Sequence, residues 1–474
     1  MWQTVELPLW FFVLIVLFAA VTFASHFLFP SVRWFFRRRL ERAVEQLNTR
    51  LTVPIEPFKL ARRQDMIQRL IYDPEVSQAI VVHARENGVR EDVAFEKARR
   101  YAREIVPSFS AFAYFGFGIR AARWLANALY TVHTATQNTA HLKDIPSDAT
   151  VVFVMNHRSN MDYVLVTYLA ARASARSYAV GEWARVWPLS RLIKSMGAYF
   201  IRRKSRGQLY RKVLARYVQL ATEGGVTQAI FPEGGLSVDG TLKPFKMGLL
   251  SYVVDAYEPD GRDIVFVPVA INYDRILEDR VLIAADQRGD RRFPARISVV
   301  MGFALKMFWR RLRGGNMGFG AASVSFGRPL SLRSEPDVGT VEDLAAALKV
   351  RVEQSMPVFG VPLLAHLFLE ADAPLTNDEI VTRAAALFAR TIGTRPRLSR
   401  DRIPGIVTAA RRQMEARGMI TQTDDHWVIA PDERPLLRFY ANSIQIAPDT
   451  ENDTGNDTGN DTENDIENAA TAKS

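Results

Sequence analysis

Hydrophobic and polar positions divide the chain into stretches of different texture. Leu7 to Pro30 reads LPLWFFVLIVLFAAVTFASHFLFP, with no formal charge, which is long enough to cross a hydrocarbon core of about 30 Å. Arg33, Arg37, Arg38, Arg39 and Arg42 follow closely, and a positive flank on that side places the C-terminal part in the cytoplasm. A secretory signal carries its positive charge ahead of the apolar run, so residues 1–31 are expected to be a retained transmembrane anchor of the inner membrane. Over residues 32–142 the apolar spacing is helical, as in Arg63 to Ile71 and Val93 to Val106, the latter closed by Pro107. Phe109 to Tyr130 is strongly apolar yet carries Arg120 and Arg123. That combination predicts a helix lying in the membrane interface or one packed on the next domain.

Residues 143–357 alternate short β-rich runs with helical stretches. Thr150 to Met155, Ala198 to Ile201, Thr227 to Phe231, Asp263 to Asn272, Arg296 to Met301 and Ser323 to Phe326 are the expected strands. Asp162 to Ala171 and Gln208 to Thr222 are long enough to cross over a sheet. The pattern predicts an α/β domain with a largely parallel or mixed central sheet flanked by helices. In such sheets reactive groups sit beyond the carboxyl ends of strands. Pro268 falls inside the run Val267-Pro268-Val269, which predicts an edge position or a bulge.

Residues 358–446 are mostly helical again. Thr376 and Glu379 form a capping box ahead of an amphipathic spacing, and Met419 to Ala430 reads as a small hairpin turning at Asp424 and Asp425. Helix followed by hairpin is also how a winged-helix nucleic-acid module reads. In the tail, residues 447–474, the stretch Asp449 to Asn464 repeats D-T-E-N or D-T-G-N with nothing apolar to bury, and the tail is expected to be disordered.

Charge sharpens this picture. The chain carries +10, but the tail after Pro448 holds eight acids against Lys473, leaving +17 on the rest. Such a body fits an anionic partner such as lipid headgroups, a phosphorylated substrate, an acidic carrier or nucleic acid. The absence of cysteine excludes disulfides, thiolate metal sites and a cysteine nucleophile.

The sharpest chemical signal begins where the first long strand ends, at Asn156-His157-Arg158-Ser159-Asn160-Met161-Asp162. His157 sits at the strand-to-helix bend and Asp162 in the first helical turn. The bend lets the carboxylate hold one imidazole nitrogen while the other faces outward as a base. With no protein nucleophile alongside, the pair suits direct deprotonation of a substrate hydroxyl. Further on, Gly197 to Phe200 leads into Ile201-Arg202-Arg203-Lys204, cations that could clamp a phosphate. Phe231-Pro232-Glu233-Gly234-Gly235 follows another strand; its glycines permit close backbone approach, and Glu233 could hold an acceptor hydroxyl or position an arginine. Taken singly, these have ordinary structural readings: a helix-capping histidine, a solvated basic face, a turn.

Together, NHRSNMD, GAYFIRR, FPEGG and VPVAINYDRI resemble, in order and spacing, the four blocks of the glycerolipid acyltransferases. The membrane glycerol-3-phosphate acyltransferases are the nearer match, supported by MDYVLVTYL, KPFKMGLLSYVVDAY, VSFGRPLSL, RRQDMIQRL and RFYANSI. The resemblance implies the glycerolipid acyltransferase fold, His157 as general base and Asp162 as its partner. It also implies Arg202, Arg203, Glu233, Gly234, Ser237 and Lys246 around the acceptor, with Arg158, Gly235 and Pro268 lining the pocket. The donor would be acyl-CoA or acyl-carrier protein, and the acceptor the 1-hydroxyl of glycerol 3-phosphate, giving lysophosphatidate. Anionic membrane lipids are the implied surface, and no metal, prosthetic group or nucleic acid is expected. The chain departs from the family after FPEGG. Where R-S-R-T-G is usual, it has Leu236-Ser237-Val238-Asp239-Gly240, which leaves lysophosphatidate or dihydroxyacetone phosphate as alternative acceptors and a non-catalytic membrane-tethered binding protein as the other reading.

Overall fold

The computed structural model describes residues 63–108, 118–134, 142, 144–170, 177–180, 199–200, 207–289, 319–335, 339–393 and 402–447. Leu7 to Pro30, Arg202, Arg203, the expected strand Arg296 to Met301 and the acidic tail lie outside them. Among the described residues no helix is long and apolar enough to cross a membrane.

Three helices open the described chain: α1 (Arg63–Ile71), α2 (Pro74–Glu86) and α3 (Glu91–Ile105). Asp73 caps α2 by accepting from the Glu75 N–H and binds Arg216 at 2.7 Å. Next come α4 (Ile119–Leu129), β1 (Thr131–Thr134), β2 (Thr150–Met155), α5 (Met161–Ala170), β3 (Ser177–Val180) and β4 (Tyr199–Phe200). They lead to α6 (Gln208–Glu223), β5 (Gln228–Ile230), α7 (Met247–Val254), β6 (Ile264–Tyr273), α8 (Asp279–Gln287), β7 (Ala321–Phe326) and β8 (Leu330–Ser331). In α4, Ala126 and Leu129 join the core while Arg120 and Arg123 face out, so this part of the apolar stretch packs on the α/β domain.

The sheet runs β1-β7-β6-β2-β5-β3-β4, with β8 also paired to β6. The pairings of β6 with β7 and β8 are antiparallel and the others parallel, so the sheet is mixed. Strands covered on both faces read as unbroken apolar runs, and every residue of β2 and β6 is buried. Their side chains alternate between two cores. Val151, Phe153, Val267 and Ile271 face one side with the C-terminal helices. Val152, Val154, Phe266 and Ala270 face the other with α1, α2, α3 and α6.

Pro268 corrects one expectation. It lies neither on an edge strand nor in a bulge but in central β6, opposite Val154. Its carbonyl accepts from the Gly327 N–H at 2.8 Å. That side of β6 is where the antiparallel partner changes from β7, ending at Val269, to β8, beginning at Phe266. Backbone N and C=O of one strand residue point the same way, so the missing N–H falls in this gap and costs no ladder bond.

The C-terminal part comprises α9 (Val341–Gln354), α10 (Gly360–Glu370), α11 (Asn377–Arg390), β9 (Thr391–Ile392), α12 (Ile403–Ala416), β10 (Ile420–Thr423), β11 (His426–Ile429), α13 (Arg434–Ala441) and β12 (Gln445–Ile446). The capping box at Thr376 and Glu379 is present, and Asp424 turns the hairpin with φ 54°. Val361, Leu364, Leu437 and Tyr440 share one apolar core with Val267 and Ile271 of β6. This part of the chain therefore packs directly on the face of the sheet.

Candidate active site

At the carboxyl end of β2 the Asn156 side chain extends the pairing to β6. Its amide donates to the Ile271 carbonyl at 2.9 Å and accepts from the Ile271 N–H at 2.7 Å. That fixes where the chain leaves the sheet and starts the turn carrying His157. The His157 Nδ1 lies 2.9 Å from Asp162 Oδ2. A carboxylate only accepts, so Nδ1 carries the proton and Nε2 of the neutral ring is left as the acceptor.

Asp162 is completely buried and fully employed. Its Oδ2 also accepts from the backbone N–H groups of Arg158 at 2.7 Å and Ser159 at 3.0 Å. Its Oδ1 accepts from the Tyr273 hydroxyl at 2.5 Å. Burial, reinforced by the Asp162 charge, raises the Tyr273 phenol well above its ordinary value, keeping it a donor. Four donors offset the cost of burying a carboxylate. The imidazole is covered rather than outward-facing, at 2% exposure. Phe231 packs on it, tilted by 37°, at 4.4 Å between centroids, and Tyr163 meets it edge-on at 5.3 Å. Phe231 and Tyr163 also contact each other, at 5.0 Å between centroids, so the two rings line one flank of the imidazole.

The FPEGG turn holds the backbone of the histidine. Glu233 Oε1 accepts from the His157 N–H at 2.7 Å, Oε2 accepts from the Lys243 N–H at 3.0 Å, and the Ser237 N–H donates to the His157 carbonyl at 2.9 Å. Burial pushes the Glu233 carboxyl up to about 7, against the pull of those two N–H groups and of Arg158. Arg158 is itself buried and donates from Nη1 to the Gly240 carbonyl at 2.7 Å. Burial lowers its guanidinium, with Glu233 opposing. Its Nε and Nη2 have no hydrogen-bond partner among the described residues, and the Phe439 ring 5.5 Å away supplies a cation–π contact instead.

Ser237 is buried and donates to the Thr241 carbonyl at 2.8 Å. Gly234 has φ 71°, and a Cβ there would lie 2.8 Å from Lys246 Nζ, so the exposed Lys246 lays its chain across the glycine. Gly235 is half-buried beside it, and Leu236 and Val238 pack against the apolar core. A cavity of about 160 Å³ reaches this loop from the Arg158 side, lined by Asn156, Arg158, Glu233, Ser237, Asn442 and Ser443. His157 is not among its walls.

The motifs gave no sign of two further residues. Tyr273 and Glu278 belong to the fourth block and the turn after it, yet both bind the first. Glu278 Oε2 accepts from Ser159 Oγ at 2.8 Å, and Oε1 accepts from the Asn160 side chain at 3.0 Å. The one signal available was a tyrosine ending a wholly buried strand.

Among the described residues, His157 and its orienter Asp162 stand at the mouth of a parallel strand. Residues 137–272 match the family model described as Acyltransferase, which bears out the resemblance read from the motifs. The chain is also similar to curated proteins named glycerol-3-phosphate acyltransferase. The one from Aeromonas hydrophila is 29% identical over 68% of this chain and 42% of its own length. That from Haemophilus influenzae strain PittEE is 25% identical over 82% of this chain and 50% of its own. The chain thus spans half or less of these relatives. A solved structure, the 1-acyl-sn-glycerophosphate (LPA) acyltransferase from Thermotoga maritima, is 20% identical over 50% of this chain and 75% of its own, with a TM-score of 0.32, too low a likeness to argue from.

Proposed function

We propose that the protein transfers a fatty acyl group from acyl-CoA or acyl-carrier protein to the sn-1 hydroxyl of glycerol 3-phosphate, forming lysophosphatidate. The observation that carries this reading is the His157–Asp162 pair at 2.9 Å on a turn pinned by Glu233. His157 Nε2 takes the proton of the acceptor hydroxyl as that oxygen attacks the thioester carbonyl carbon. Asp162 stabilises the imidazolium while the tetrahedral intermediate stands. Collapse breaks the C–S bond, and the imidazolium returns its proton to the leaving thiolate. Arg202, Arg203 and Lys246 hold the acceptor phosphate. Leu7 to Pro30 anchors the chain to the cytoplasmic face of the inner membrane, where the product partitions, and the basic body meets anionic lipid.

Lysophosphatidate or dihydroxyacetone phosphate as acceptor is the second reading, favoured by Leu236 and Val238, which pack half-buried against the core and offer no cation. Losing one charge-assisted contact costs about 1.5–3 kcal/mol, or about tenfold or more in affinity. Nucleic-acid binding by the C-terminal part is disfavoured by the exposed Asp424 and Asp425 at the hairpin tip, which repel phosphate.

Competition among the three acceptors for labelled acyl-CoA, using purified full-length protein, tests the assignment. Glycerol 3-phosphate should be consumed with the highest kcat/KM. Preference for either other acceptor replaces the first reading with the second, and transfer to none of them removes both.

A further inference from the structure

The turn after β6 has two faces, and each is occupied. Toward the catalytic loop, Tyr273 binds Asp162, and Glu278 binds Ser159 and both nitrogens of Asn160 at 3.0 and 3.2 Å. Away from it, Asp274 accepts from the N–H groups of Ala321 and Val361 at 3.0 and 3.3 Å, and the Ile276 N–H donates to the Tyr440 hydroxyl at 2.9 Å. The same hydroxyl donates to Asp279 at 2.6 Å and accepts from Arg417 at 3.2 Å, while Arg417 also pairs with Asp279. One phenol proton and two lone pairs are thus all used. Tyr440 is fully buried, and Asp279 and Arg417 are nearly so.

We propose that this turn is a brace through which the C-terminal part sets the catalytic loop, with Glu278 and Tyr440 as positioning residues for His157. Both lie beyond residues 137–272, the stretch matching the acyltransferase model. Glu278 grips the two loop residues that follow Arg158, so a displaced Glu278 moves the N–H groups that orient the Asp162 carboxylate. Tyr440 fixes Glu278 from behind, because Ile276 and Asp279 bracket it closely in sequence and both end on its hydroxyl. A packed, fully bonded element with few alternatives transmits a displacement instead of absorbing it.

The inference rests on reading His157 and Asp162 as the base and its orienter. Its test is a double-mutant cycle on the full chain with Tyr440→Phe and Glu278→Gln. Tyr440→Phe should lower kcat about tenfold with KM within about twofold. The double variant should fall no further than Glu278→Gln alone, within about twofold. Losses that multiply, or an unchanged kcat in Tyr440→Phe, overturn the brace. Trp427→Phe, a buried change in the same part of the chain remote from the turn, should lower Tm and leave kcat alone, which a merely structural role of Tyr440 would mimic.

A readout free of substrate separates this from the functional proposal. The low-field proton resonance of His157 Nδ1–H, absent in His157→Gln, should shift in Tyr440→Phe and stay put in Trp427→Phe. A shift in a protein that transfers no acyl group keeps the brace and removes the function. An unmoved signal in an active enzyme removes the brace alone.

Discussion

Asp162→Asn perturbs the site while preserving its shape. The amide oxygen can take the place of Oδ2, accepting from His157, Arg158 and Ser159, while the NH2 turns toward Tyr273, whose hydroxyl can rotate to accept. What disappears is the charge that stabilises the imidazolium. At about 4 Å between charge centres and an effective dielectric of about 20, that attraction is worth about 4 kcal/mol, or about 10³ in rate. Substrate binding does not use this charge, so KM should stay within about twofold. Steady-state assays with labelled acyl-CoA and glycerol 3-phosphate measure both constants. If the Asp162→Asn variant keeps more than about a tenth of wild-type kcat, stabilisation of the imidazolium by the Asp162 charge is refuted, because that charge is what the substitution removes while the hydrogen bond from His157 stays.

Three further outcomes follow from individual contacts. Gly240 has φ 88°, and a Cβ there would sit 1.9 Å from the Phe439 carbonyl oxygen, so Gly240→Ala should cost at least about 2 kcal/mol in denaturant unfolding and lower kcat by displacing the anchor of Arg158. Burial pushes the Asp274 carboxyl up to about 6. Its contribution to stability is complete below the unfolded value of about 3.9 and is lost as pH rises through 6, so Tm should fall over that window and fall less steeply in Asp274→Asn. Lys246→Gln should raise KM for glycerol 3-phosphate about tenfold with little change in kcat, and Gly234→Ala, which displaces the Lys246 chain, should act in the same direction.

Much of the α/β core was legible because its signals are local. The run TVVFVM is apolar throughout, as a strand buried on both faces must be, and its bounds are those of β2. Gln208 to Thr222 stops one residue short of α6, and the NHRSNMD motif places histidine and aspartate within one turn, where they meet. Short elements escaped. β1 is four residues containing His133, β8 is two, and neither has the periodicity that separates strand from loop. Pro268 was misjudged because its tolerance depends on where two other strands end. Tyr273 and Glu278 meet their partners across 111 and 118–119 residues, and no local pattern announces a contact made by packing alone. The covering of His157 by Phe231 and Tyr163 is of the same kind.

The central claim is that one imidazole takes the proton from the acceptor. Acyl transfer from labelled acyl-CoA to glycerol 3-phosphate by purified wild type and His157→Ala, at equal folded concentration by thermal melt, tests it most directly. Loss of at least about 10³ in kcat with the fold intact is the predicted result. Undiminished transfer by the His157→Ala variant would contradict it.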